Sequence, residues 1–206
     1  MKKEYFIVGI DEAGRGPLAG HLAVAAVAAT VISKSEFLIS KKSQNPKIQN
    51  AKLLKNIKDS KKLSAEKREE WREIIRKNFE NHCVFISHKM IDKIGIGGAV
   101  RLGVEKVLEK FSRKPDLVLM DGSLKAPKEY NQLTIIKGDE KIPLISAASV
   151  IAKTARDKKM LVLDKKYPQY GFAVHKGYGT KSHYEKIKEN SLCKIHRKSF
   201  CKNIGV

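Results

Sequence analysis

Short apolar runs and helical patterns of apolar and polar residues alternate along most of the chain. Tyr5 to Ile10 is a β-rich apolar run of strand length. The Ala- and Val-rich run from Leu22 to Ile32 follows it and is predicted to be its antiparallel partner, buried on both faces. Further strands are predicted over three segments: His82 to His88, Asp116 to Met120 after Pro115, and Leu133 to Ile136.

Helices are predicted from apolar spacing and from capping residues. Ser64 fits the N-cap of a helix whose apolar stripe is Trp71, Ile74 and Ile75. Pro143 is expected to start a helix that runs through Asp157. A basic surface helix is expected from Lys181 to Asn190. After the glycine-rich turn of residues 95–98, a long amphipathic helix is predicted from the spacing of Val100, Val104, Val107, Leu108 and Phe111.

The polar, lysine-rich segment from Ser33 to Lys58 interrupts this pattern. It predicts a flexible insertion or an exposed loop, and no domain boundary is placed there. A chain of 206 residues with 42% hydrophobic content fits one sizeable domain with its own core and argues against global disorder.

The first strand leads into two adjacent acids and a glycine-rich turn. Asp11 and Glu12 are expected where the strand ends, and a break after them would let their side chains converge. Two close carboxylates repel each other unless a cation neutralises them, and their hard oxygens suit Mg²⁺ or Mn²⁺. In the turn Gly14-Arg15-Gly16, glycine permits unusual backbone conformations and arginine offers a donor fork for phosphate. An isolated Asp-Glu pair would more often be an acidic turn that caps a surface strand.

The same arrangement of strand, acid and glycine recurs twice. Asp121 follows the apolar run Asp116 to Met120, and Gly122 comes next. If this strand lies parallel to the first, Asp121 meets Asp11 at the carboxyl end of the sheet. Asp139 follows another apolar run and a glycine. Alone, an Asp-Gly pair would more often be a plain turn.

Three further segments carry candidate binding residues, each with a simpler structural alternative. Ser60, Lys61 and Lys62 precede a helix and could hold a phosphate, although from the residues alone a simple capped helix start is the preferred interpretation. Lys153 and Asp157 share a helix face, and a salt bridge between them is the preferred interpretation. The aromatic, Gly, Lys and His residues around Tyr167 to Thr180 suit contact with nucleic acid, or simple loop packing.

Charge narrows the class of partner. The 42 Lys and Arg residues exceed the 22 Asp and Glu residues and give a formal net charge of +20, which favours a polyanion, with nucleic acid ahead of an anionic membrane surface. Lysine used only for solubility is the alternative.

The cysteines and the apolar runs bear on the compartment. An odd number of cysteines without a CxxC motif predicts reduced thiols. Cys193, His196 and Cys201 would make half a zinc site at most, so incidental cysteines are favoured. No signal peptide is recognised, and Leu22 to Ile32 is shorter than the about 20 apolar residues of a membrane span. A soluble, cytoplasmic protein is expected.

The string IVGIDEAGRGPLAG resembles the opening motif of ribonuclease HII, the type 2 ribonuclease H family. DSKKLS, LMDG, KGDEKIPLISAASVIAKTARD, HKGYGT and HRKSF follow in family order. The resemblance implies an α/β fold, a ribonuclease H-like mixed β-sheet flanked by α-helices. It also implies a single domain over residues 1–206, in which about 165–206 form a small helical, substrate-contacting C-terminal region.

The resemblance also implies the roles of individual residues. The catalytic and metal-binding acids would be Asp11, Glu12, Asp121 and Asp139, with Mg²⁺ or Mn²⁺ as cofactor. The turn Gly14-Arg15-Gly16 resembles the element whose backbone senses the ribose 2′-hydroxyl. Tyr178 resembles the residue that packs on the adjoining deoxyribose. The remaining candidates for substrate binding are Ser60, Lys61, Lys62 and Lys153, and the role of Asp157 stays open between the site and its helix.

The activity implied is two-metal hydrolysis on the 5′ side of ribonucleotides, in RNA–DNA hybrids and in DNA duplexes with embedded ribonucleotides, leaving 3′-hydroxyl and 5′-phosphate ends. An intact GRG motif and no extra N-terminal domain argue against the ribonuclease HIII branch. A monomer without a clamp-binding motif or a membrane partner is expected. The alternatives are a non-catalytic basic RNA-binding protein and, more weakly, a nucleotide-binding enzyme that uses GRGP, although no P-loop is present.

Overall fold

The computed structural model of the chain describes residues 4–31, 51–54, 56–57, 60–202 and 204. Most of the predicted insertion from Ser33 to Lys58 therefore lies outside the described residues, as do Ile32 and Asp59. The strands are β1 (Tyr5–Ala13), β2 (Leu22–Val31), β3 (Asn81–Ile86), β4 (Leu117–Asp121) and β5 (Gln132–Ile135).

These strands form one mixed sheet in the order β3-β2-β1-β4-β5. β2 is antiparallel to β1 and to β3, whereas β4 is parallel to both β1 and β5. The predicted antiparallel pairing of the first two strands and the parallel pairing of β1 with β4 are both confirmed. β2 is buried along nearly its whole length, as its small apolar residues predict.

The helices are α1 (Ala65–Asn78), α2 (His88–Leu108), α3 (Gly138–Lys141), α4 (Pro143–Lys166), α5 (Phe172–His175) and α6 (Lys181–Asn190). Short 3-10 turns occupy Ala51–Leu54, Ser60–Lys62, Pro168–Tyr170 and Lys198–Phe200. The predicted N-cap of α1 is confirmed, since the Ser64 side chain accepts a hydrogen bond from the N–H of Lys67. Of the predicted apolar stripe, Ile75 is buried but Ile74 is exposed.

Two boundaries differ from the prediction in and before α2. The strand predicted through His88 ends at Ile86, because the Ser87 side chain accepts the N–H of Met90 and caps a helix there. The predicted glycine turn over residues 95–98 is reduced to a kink inside the helix at Gly95, which has φ 70° and ψ 166°.

Helices cover both faces of the sheet. α1 and α4 pack on one face in a core that includes Ile7, Leu119 and Leu144. α2 packs on the other face with Val8 and Val24. The small residues at the start of α4 allow close approach to β1, where a Cβ on Gly9 would lie 2.6 Å from the carbonyl carbon of Leu144.

A third cluster of buried side chains joins the C-terminal segment to the loop after β1. It brings Phe172, Ile187 and Ile195 against Leu18 and Met160. An isolated bridge pairs Ala19 with His196, so the C-terminal segment is attached to the turn that follows the two adjacent acids. None of the described helices combines the length and the apolarity needed to cross a bilayer.

Candidate active site

Two of the predicted acids lie side by side at the carboxyl ends of adjacent parallel strands. β1 and β4 are in register up to Ile10 opposite Met120, and the residues that follow are Asp11 and Asp121. The pairing of β1 with β2 stays regular through Ala13, so the strand does not end at Asp11 as predicted. The turn begins at Gly14 instead.

Asp11 is buried and held by hydrogen bonds from two elements. Its Oδ1 accepts the N–H of Glu12 at 2.8 Å, and the side chain of Ser149 on α4 also hydrogen-bonds to it. The Oγ atoms of Ser149 and Ser60 lie 2.8 Å apart. The predicted binding residue Ser60 therefore contacts the acid cluster through Ser149, from a buried position rather than from the surface.

The electrostatics of the site disfavour negative charge. Burial, followed by the charge of Glu12, raises the pKa of the Asp11 carboxyl well above its usual value. Burial also raises the pKa of Glu12, although Arg15 opposes the rise through its contact between Nη1 and Glu12 Oε1 at 3.3 Å. The charge of Asp121 contributes to the raised pKa of both groups. The other oxygen, Glu12 Oε2, is buried and has no hydrogen-bond partner among the described residues.

Asp139 reaches the same region from the start of α3. The N–H of Gly138 donates to Asp121 Oδ1 at 2.6 Å, so the two acids are linked through one backbone group. Ser146 Oγ donates to the carbonyl of Asp139 at 2.6 Å. The Lys61 ammonium lies 3.3 Å from Asp139 Oδ2, and the Lys61 side chain is 76% exposed. It therefore contacts the acid cluster from the protein surface.

The acids fit a divalent cation, but they do not form a complete cage. A positive ion would satisfy Glu12 Oε2 and would offset the burial that raises the pKa of Asp11. Within the described ranges, no three His, Cys, Asp or Glu side chains are already arranged to hold a metal ion.

The glycine turn lies directly beside the acids. Gly14 has φ 97°, and a Cβ there would fall 2.0 Å from Nε of the buried Arg156. Arg15 and Gly16 are exposed. The ring of Tyr178, 43% exposed, comes within 4.0 Å of the Cβ position of Gly16, and its centroid lies 5.5 Å from Arg156 Cζ. The turn and this tyrosine thus share one surface.

The other lysine candidates are engaged in ion pairs. Lys153 Nζ lies 2.9 Å from Asp157 Oδ1, which confirms the salt bridge expected from their spacing. Lys62 pairs with Glu140 at 3.0 Å while its side chain stays more than half exposed. Asp157 accepts from Lys153 on its own helix, and within the described residues it makes no hydrogen bond to the acids of the site.

Cys193 and His196, for which incidental roles were favoured over half a zinc site, belong to a hydrogen-bonded cluster. Cys193 Sγ lies 3.1 Å from His196 Nδ1, and His196 Nε2 lies 3.1 Å from His183 Nε2. His183 Nδ1 lies 2.9 Å from the carbonyl oxygen of Tyr178. Cys201 is bonded instead to the carbonyl of Leu18. These groups connect to the backbone of Tyr178.

Three further residues shape the site, although their spacing in the sequence predicts no role for them. Ser149 contacts Asp11, Arg156 lies under Gly14, and Arg197 donates three hydrogen bonds to the turn and the loop after it. All three belong to strings that carry the family resemblance, and this is the only signal in the sequence that points to them.

The chain is similar in sequence to known proteins over nearly its whole length. Residues 8–203 match the model of the family described as Ribonuclease HII. The chain belongs to the ribonuclease HII family. It is 40% identical over 200 residues to a ribonuclease HII of Caldicellulosiruptor bescii, covering 97% of this chain and 88% of that protein. It is 41% identical over 195 residues to one of Coxiella burnetii, covering 94% and 87%.

The fold has a counterpart among solved structures. The ribonuclease H2 of Pyrococcus horikoshii superposes with a TM-score of 0.75 at 24% identity, over 97% of this chain and 96% of that one. The predicted ribonuclease H-like mixed sheet is confirmed. As a member of the ribonuclease HII family, the protein is a ribonuclease H-type endonuclease that hydrolyses RNA in RNA–DNA hybrids.

Proposed function

We propose that this ribonuclease cuts the phosphodiester bond on the 5′ side of a ribonucleotide, in RNA–DNA hybrids and in DNA duplexes with embedded ribonucleotides, leaving 3′-hydroxyl and 5′-phosphate ends. The observation that carries the proposal is the group of acids at the sheet end, where Asp11, Glu12 and Asp121 influence one another beside an exposed glycine turn. Acids in a chain of net charge +20 weaken phosphate binding unless cations intervene, so their position indicates catalysis rather than binding.

Two divalent metal ions, Mg²⁺ or Mn²⁺, are the proposed cofactors, held by Asp11, Glu12, Asp121 and Asp139. Carboxylate oxygens are the ligands that these ions prefer. When bound, such ions lower the pKa of a coordinated water and stabilise negative charge on the phosphate and on the leaving oxygen. Phosphate oxygens of the substrate would supply the ligands that these acids do not.

The chain's own residues orient the substrate around these acids. The exposed backbone of Arg15 and Gly16 offers N–H donors to the ribose 2′-hydroxyl, the one group that separates RNA from DNA at a given position. The Tyr178 ring, next to Gly16, would pack on the neighbouring deoxyribose. Lys61, Lys62 and Lys153 lie on exposed or partly exposed surface and would contact backbone phosphates.

The test is to map cleavage on three end-labelled duplexes: all DNA, DNA with one ribonucleotide, and an RNA–DNA hybrid, each with Mg²⁺, Mn²⁺ or EDTA. We expect a single cut 5′ to the lone ribonucleotide with either metal, no cut in all-DNA duplex, and a 3′ end that a polymerase extends directly. A cut on the 3′ side, or activity in EDTA, would overturn the proposed position or cofactor. Tight binding without any cut would favour the RNA-binding alternative.

A further inference from the structure

We propose that Arg197 is a positioning residue for ribose recognition: it fixes the carbonyls of the Gly14-Arg15-Gly16 turn so that the N–H groups of Arg15 and Gly16 face the substrate. The inference rests on the proposed function, in which this turn senses the 2′-hydroxyl. It assigns a role in specificity to a residue that belongs to the C-terminal segment and touches none of the acids.

All three guanidinium nitrogens of Arg197 donate hydrogen bonds to backbone carbonyls in and after the turn. Nη2 donates to the carbonyl of Gly14 at 2.7 Å, Nη1 to that of Arg15 at 2.9 Å, and Nε to that of Gly20 at 3.0 Å. The side chain is fully buried. These contacts join residues more than 175 positions apart in the sequence, so the C-terminal segment determines the shape of a turn near the N-terminus.

Peptide planarity converts these contacts into the orientation of N–H groups. In a trans peptide the C=O and the following N–H point in opposite directions. Holding the carbonyls of Gly14 and Arg15 inward therefore directs the N–H groups of Arg15 and Gly16 outward, where both residues are exposed. Neither N–H group donates to a protein acceptor among the described residues.

Arginine suits this task better than lysine. Its planar fork of donors can hold several separated carbonyls in one geometry, whereas an ammonium is a compact point charge. Arg197 is also buried near a second buried guanidinium, that of Arg156, and burial together with this neighbour lowers the pKa of Arg197 to about 10. It stays charged at neutral pH. Burying two like charges is costly, and a turn that only had to be folded could be held by neutral donors.

The segment around Arg197 has its own attachment, which provides a control. Asp92 on α2 accepts the N–H groups of Lys198 and Ser199 at 3.0 and 2.9 Å. The N–H of Arg197 donates to the carbonyl of Leu18 at 2.7 Å. Asp92→Ala therefore loosens the same segment without removing a donor from the turn.

The experiment compares wild type, Arg197→Lys and Asp92→Ala on a DNA duplex with one ribonucleotide, with an all-DNA duplex as competitive inhibitor. For Arg197→Lys we expect kcat/KM to fall about tenfold or more, while the inhibition constant of all-DNA duplex changes by less than about twofold. Rates are normalised to the folded fraction from thermal unfolding. For Asp92→Ala, kcat/KM on the ribonucleotide substrate and the inhibition constant of all-DNA duplex should keep the same relation to each other as in wild type.

Three results would overturn the inference. The first is a folded Arg197→Lys variant with wild-type kcat/KM, and the second is loss of cleavage and of DNA binding in proportion. If the lysine variant fails to fold, Arg197→Met, which removes the buried like charge, replaces it in the same measurements. Failure of both to fold, while Asp92→Ala folds, would assign Arg197 to stability alone. If wild type cuts neither ribonucleotide substrate, the proposed function fails, and that outcome is distinct from the other three.

Discussion

At the scale of one side chain, Asp11, the proposed metal ligand, shows how a residue placed for chemistry can oppose stability. Its carboxyl is buried beside Glu12, and the charge of Asp121 adds to the repulsion. Without a cation, the folded protein must either keep a desolvated charge there or bind a proton. The site is therefore less stable when empty than a neutral site of the same shape would be.

Asp11→Asn should raise the free energy of unfolding in EDTA at pH 7 by roughly 1–2 kcal/mol and abolish cleavage. Because burial raises the pKa of Asp11 in the folded state, that state binds more protons than the unfolded state above the unfolded value of 3.8. Stability of the metal-free wild type therefore falls as pH rises through this range, and the variant should lack that component. Urea unfolding across pH measures both, and a destabilised variant would contradict the electrostatic account.

Ser60 offers a second test, through its contact with Ser149. Ser60→Ala removes the 2.8 Å contact to the hydroxyl that bonds to Asp11, so we expect kcat to fall by about three- to tenfold with KM nearly unchanged. Ser64→Ala, which removes the N-cap of α1, is the matched control from the same motif. It should cost about 1 kcal/mol of stability and leave kcat intact. Equal effects of the two variants on kcat would show that Ser60 acts only through the fold.

At the scale of elements, α4 connects the parts of the site. Ser146 and Ser149 contact the acids, and Arg156 lies under the turn. This helix can reach all of them because it packs unusually close to β1 at Gly9. The positions of Ser146, Ser149 and Arg156 along this one helix thus set where the acids, the glycine turn and the Tyr178 ring lie relative to one another.

Gly9→Ala should therefore destabilise the protein by more than about 2 kcal/mol, since the added methyl group would overlap the backbone of Leu144. Gly97→Ala is the control: nothing lies within 4 Å of its Cβ position in α2, and alanine there should be neutral or stabilising by about 1 kcal/mol at most. Urea unfolding of both variants is the measurement. A neutral Gly9→Ala would show that α4 is not held against β1 as described.

The buried histidines near Tyr178 predict an acid limit for the C-terminal region. Burial lowers the pKa of His183 and of His196 from 6.5 to about 4. The unfolded state then binds more protons between these values, so stability falls as pH drops from 6.5 to about 4, by on the order of a few kcal/mol. His183→Gln should lose less stability than wild type over that window. Identical pH profiles in urea unfolding would contradict the assignment.

The sequence predicted the elements that depend on local pattern and missed the contacts that depend on tertiary structure. The apolar runs predicted the strands, and the acid after the run Asp116 to Met120 was correctly placed beside Asp11 by the expected parallel pairing. The strand predicted over His82 to His88 is present, but its predicted end was wrong because Ser87 caps a helix there. The role of Arg197 could not be predicted from spacing, since its partners lie at the other end of the chain.

At the scale of the whole molecule, a chain with a formal net charge of +20 carries a small group of acids at the end of its sheet. In EDTA, the logarithm of the duplex association constant should therefore fall linearly with the logarithm of the salt concentration. The slope should be about −0.9 for each phosphate contacted. All-DNA and single-ribonucleotide duplexes should share this slope, because the 2′-hydroxyl carries no charge. Fluorescence anisotropy between about 50 and 300 mM salt measures it. Different slopes would mean that recognition of the ribonucleotide changes the number of phosphate contacts.

The most direct measurement of the central claim is single-turnover cleavage and duplex binding, side by side, for wild type and Asp121→Asn. If the acids at the sheet end carry out the chemistry, the variant should bind a single-ribonucleotide duplex within about threefold of wild type while cleavage with Mg²⁺ falls by at least about a thousandfold. Cleavage at the wild-type rate would contradict the account, because the carboxylate of Asp121 would then not be needed for the chemistry.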